Sequence, residues 1–60
     1  MKKTIYKYEI KFVESGIHNI GMFGFDDIEA GKLYKITLAD NVYQGFVLDI
    51  DDDRLVLEID

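Results

Sequence analysis

The sequence predicts an all-β protein: a small five-stranded antiparallel barrel or strongly bent sheet, one domain spanning residues 1–60. Three observations carry that class. Apolar and polar residues alternate with a period of two over several short stretches. Proline is absent, and no stretch is long enough for a full crossover helix. Glycine, asparagine and aspartate punctuate the chain at short intervals, as turns between neighbouring antiparallel strands require. A sheet of such short strands has edges to hide, and curling hides them better than lying flat.

The first stretch, TIYKYEIKFVE over residues 4–14, alternates Tyr6, Tyr8, Ile10 and Phe12 with Lys7, Glu9 and Lys11. This pattern predicts one strand with one wet face, the tyrosine rings in the core and their hydroxyls at its rim. Ser15-Gly16 reads as a turn, and IHNIGMF (17–23) as a less regular second strand weakened by Gly21. Gly24 and Gly31 bound GFDDIEAG, which has room for one short helical turn near residues 26–30, with Asp26 as N-cap and Glu29 closing a capping box. KLYKITLA gives the third strand through Leu33, Ile36 and Leu38, and VYQGFVLDI, β-branched and aromatic, the fourth. RLVLEI gives the fifth, alternating Leu55, Leu57 and Ile59. Asp40-Asn41 and the run Asp51, Asp52, Asp53 supply the hairpin turns, because both residue types tolerate the left-handed backbone. Gly45, inside the fourth strand, marks the bend that a curled sheet needs.

Across residues 36–57, ITLADNVYQGFVLDIDDDRLVL resembles the first motif of the Sm-like family, with Leu38, Asn41, Gly45 and Asp51 at the family spacing. The resemblance implies a small barrel of the Src-homology-3-like type and, as a function, an RNA-binding ring subunit. The family's turn glycine is Asn41 here, and its asparagine after the aspartate is not matched. No second Ile-Arg-Gly motif follows, and the family's amino-terminal helix is replaced by the strand-like TIYKYEIKF. A shared barrel supports the fold more than the activity.

Sixty residues bury only about 60% of the surface of the unfolded chain, which leaves little spare stability. Without cysteine or a zinc-binding spacing, no covalent or metal staple is available, so good packing or a homo-oligomer must compensate. The hydrophobic fraction of 48%, with four tyrosines and four phenylalanines, supplies a core and argues against disorder. The opening MKKTIYKYEIKF is interrupted by charge too often for a secretory apolar segment, and no stretch approaches a membrane span. The expectation is a cytoplasmic protein with no membrane partner.

Charge is unevenly placed. Residues 1–25 carry net +2, and residues 26–60 carry net −7. Generic nucleic-acid binding is therefore disfavoured, since carboxylates repel phosphates and attract basic surfaces. In DIDDDR, Asp49, Asp51 and Asp53 match the first ligand positions of an EF-hand loop. Arg54 stands where that loop requires glycine, and both flanks are strand-like, so a hairpin turn or acidic docking surface is expected instead of a metal site. Catalysis is not expected. His18 and Ser15 are the only residues of their kinds, and no nucleophile and base constellation can be assembled around them.

The leading expectation is a non-enzymatic protein-binding module without cofactor, whose acidic face engages a basic surface of a protein partner. The candidate contacts are Phe25, Asp26, Asp27, Glu29, Tyr43, Asp49, Asp51, Asp52 and Asp53, aromatic area beside steering carboxylates. One form is a phage-type inhibitor or nucleic-acid mimic acting on a nucleic-acid-handling protein. The alternatives are the Sm-like ring subunit, with Lys7, Lys11 or Lys35 meeting phosphate, and an assembly protein pairing through a strand edge.

Overall fold

The computed structural model describes residues 1–15 and 24–59. Five strands form one antiparallel sheet: β1 (Lys2–Tyr6), β2 (Ile10–Ser15), β3 (Leu33–Leu38), β4 (Val42–Ile50) and β5 (Arg54–Ile59). Two single 3-10 turns, Lys7–Glu9 and Phe25–Asp27, complete the regular structure of these residues. The strand order is β1-β5-β4-β3-β2, which makes β1 and β2 the two edges. Yet only the three residues of the first 3-10 turn join them. The sheet must therefore curl until its edges approach at that corner. The near-equal extents of 23 × 22 × 21 Å agree, because one flat sheet layer is only about 10 Å thick. The ladder is bent but not closed into a barrel.

The stretch expected as one strand over residues 4–14 is divided. At about 3.3 Å per residue, eleven extended residues would span roughly 36 Å, far beyond the body of the molecule. The Lys7–Glu9 turn makes the break: the Tyr6 amide donates to Glu9 Oε1 (3.2 Å), the Ile10 amide to the Lys7 carbonyl, and the Lys7 amide to the Asp53 carbonyl (2.7 Å). This turn also changes which residues face inward. Ile5 and Val13 are fully buried and Ile10 packs against the core, whereas Tyr6 (40% exposed) and Tyr8 (83%) lie outside it. A bulge between Ile10, opposite Leu38, and Phe12, opposite Thr37, turns Phe12 outward as well. The tyrosines expected in the core are thus surface residues, and the strand expected over 17–23 lies outside the described residues.

The second half follows the expected strands. On β3, Tyr34, Ile36 and Leu38 point inward, while Leu33 is only half-buried and lies on the other face. Buried Tyr34 keeps its hydroxyl satisfied by accepting the Glu29 amide (3.0 Å), so burying a polar tip costs little. On β4, a bulge between Val47 and Asp49 leaves Val47 opposite Leu57 and Ile50 opposite Leu55. Without that extra residue, strict alternation would drive Asp49 into the core; with it, Leu48 and Asp49 both stay exposed. Gly45 has a close-approach role: a Cβ there would lie 2.0 Å from the Glu58 carbonyl oxygen on β5. The core itself is a single cluster centred on Ile5, Val13, Ile36, Val47, Leu55 and Leu57, all fully buried.

Candidate partner-binding groove

Two turns build the site. The Phe25–Asp27 turn is closed by the Asp27 amide bonding the Gly24 carbonyl (3.0 Å), while the Asp27 carboxylate accepts the Gly24 amide (3.1 Å). Asp27 therefore secures the turn and Gly24 is its N-cap, in place of the expected Asp26 and Glu29. Phe25 and Ile28 reach back to the core and anchor the segment, which leaves Asp26 at the surface. The second turn joins β4 to β5: the Asp51 amide donates to the Arg54 carbonyl (2.8 Å), and Asp51, Asp52 and Asp53 are all exposed at its tip.

Between the turns lies an open groove of about 660 Å³, lined by Phe25, Ile28 and Ile50 together with the carboxylates of Asp26, Asp51, Asp52 and Asp53. Segments remote in the chain thus contribute to one surface. Two of the chain's own cations attend it. Arg54 lies 3.4 Å from Asp51 and 3.5 Å from Asp53, and Lys7 Nζ stands 5.7 Å from the centre of the Phe25 ring. The arginine pairs are solvent-exposed, each worth about 0–1 kcal/mol, so they neutralise the turn only partly. Among the described residues, Asp26 and Asp52 have no ion-pair partner.

The other candidate residues lie elsewhere. Asp27 and Glu29 line a second, smaller concavity beside Leu33, Tyr34 and Phe46, and Glu29 pairs with Lys32 (2.8 Å). Asp49 accepts the amide of Ile50 (3.0 Å) on β4, away from the tip. Tyr43 packs against the core with Lys3 Nζ 5.1 Å from its ring centre. Among the described residues, no three His, Cys, Asp or Glu side chains converge to hold a metal ion.

Sequence reasoning missed Ile28, Ile50 and Lys7 as parts of this surface. Arg54 was visible at three residues from Asp51, but its partnership depends on the tight turn. Of the lysines expected to meet phosphate, Lys7 stands over Phe25, Lys35 is opposite Glu14 and Gln44, and Lys11 borders a shallow concavity with Glu9 and Asp40. No helix of the described residues is long and apolar enough to cross a membrane.

Comparison with protein-family models, curated proteins and solved structures gives no significant match. The groove is thus read from its own geometry.

Proposed function

We propose that this protein is a non-enzymatic binding module that uses the groove between residues 25–28 and 50–53 to engage a basic protein surface. One observation carries the reading: the fold joins Phe25 and Asp26 to Asp51, Asp52 and Asp53 around an apolar floor. Such a floor supplies area that loses water on contact, and the carboxylate rim supplies steering and orientation. A concentration of carboxylates also imitates a phosphate backbone, so occupation of the nucleic-acid site of a nucleic-acid-handling protein is the favoured form of this activity.

The reading is tested by capture from lysate with the wild-type protein and with a variant carrying Asp51→Asn, Asp52→Asn and Asp53→Asn. The wild type is expected to retain proteins with basic nucleic-acid sites and to release them to added nucleic acid; the folded variant is expected to lose them. Equal capture by both proteins would remove the groove from the function.

A further inference from the structure

Beside the acidic groove lies an aromatic ledge that the groove alone does not explain. Tyr6 and Tyr8 stack with ring centres 5.8 Å apart and an interplanar angle of 24°, yet Tyr8 is 83% exposed. A ring that contributes so little to the core leaves a large planar face to solvent. The two tyrosines line a concavity of about 600 Å³ with Lys7, Ile10 and Asp53, and Asp53 also borders the acidic groove. The two concavities therefore flank Asp53, with the tyrosines and Lys7 on one side of it and the carboxylates of the groove on the other.

From this adjacency across Asp53 we infer that the partner segment is extended and carries arginine, with one guanidinium lying on the tyrosine ledge and further cations reaching the carboxylates. Arginine fits better than lysine for two reasons. Its planar guanidinium stacks on aromatic faces and is weakly hydrated, and it presents a donor fork to carboxylates, whereas lysine offers a strongly hydrated point charge. The chain itself places an arginine at this junction: Arg54 pairs with Asp51 and Asp53 and is the cross-strand neighbour of Tyr6. This inference rests on the proposed acidic-groove function and adds the ledge as the element that selects arginine.

Fluorescence anisotropy with labelled hexa-arginine and hexa-lysine peptides, at about 150 mM salt, tests it on the wild type, Tyr8→Ala and Tyr8→Phe. The exposure of Tyr8 makes both variants compatible with folding. The wild type is expected to bind the arginine peptide roughly fivefold more tightly. Tyr8→Ala should lose that preference, its affinity for the arginine peptide falling to about that for the lysine peptide, and Tyr8→Phe should retain it. Equal binding of the two peptides by the wild type, or a preference that survives in Tyr8→Ala, overturns the ledge while leaving the acidic groove in place. Failure of the wild type to bind either peptide overturns the groove reading and this inference together.

Discussion

Gly45 shows how one residue can set how closely two strands approach. Its absent side chain lets β4 approach β5 so closely that an added Cβ would meet the Glu58 carbonyl oxygen at 2.0 Å and its carbon at 2.8 Å. Those atoms are backbone, so relief requires the strands to separate. Gly45→Ala is expected to destabilise the protein by about 3 kcal/mol, the upper end for overpacking, as read by urea denaturation. Glu58 tests a different residue-scale effect. The Met1 ammonium, 2.8 Å away, holds its carboxyl below the ordinary carboxylate value. A carboxyl depressed on folding stabilises the native state above its unfolded value, about 4.3, and that stabilisation is lost as pH falls through the lower folded value. Thermal melts from pH 6 to about 3 should therefore show the wild-type advantage over Glu58→Gln shrinking on acidification. An advantage that grows as pH falls would contradict the assignment.

At the scale of elements, the β4–β5 turn is held by its backbone more than by its charges. Asp51 and Arg54 are already joined through main-chain atoms, and the ion pairs at the tip are exposed. Replacing Asp51, Asp52 and Asp53 by Asn is accordingly expected to change folding stability by less than about 1 kcal/mol. Chemical denaturation of the triple variant checks this, and a larger loss would make the run a structural device. Much of this half was legible in the sequence: β3, β4 and β5 lie where they were expected, although a bulge breaks the alternation of β4, Leu33 faces away from the core, and Gly45 serves a close approach to β5. The first strand was misread because Tyr6, Tyr8, Ile10 and Phe12 alternate persuasively, whereas Ile5 and Val13 are the residues fully buried and of the alternating set only Ile10 packs against the core. Only the break at Lys7–Glu9 and the bulge after Ile10 decide between those sets, and both answer to long-range pairing with β5 and β3. The acidic residues were legible as candidates, but alternation could not say that Asp26 and Asp51 share a groove while Asp49 and Glu29 do not.

The whole molecule has one small core and no disulfide to support it. A single core of this size supplies rarely more than about 3–5 kcal/mol of net stability. Leu57 is fully buried on β5, which pairs with both β1 and β4. Leu57→Ala is expected to cost about 2–5 kcal/mol and so to leave a large unfolded fraction at room temperature, visible as loss of amide dispersion in NMR spectra. A well-dispersed spectrum would show a sturdier core. The bend of the sheet brings two turns together around the groove.

The most direct measurement is a residue-resolved amide NMR titration of the wild-type protein with a labelled-free hexa-arginine peptide. Perturbations concentrated at Phe25, Asp26, Ile28 and Asp51–Asp53, together with the adjoining Tyr6 and Tyr8, are the predicted result. Perturbations spread evenly over the other carboxylates, including Glu14, Asp40 and Glu58, or absent altogether, would contradict the assignment of this groove as the partner-binding surface.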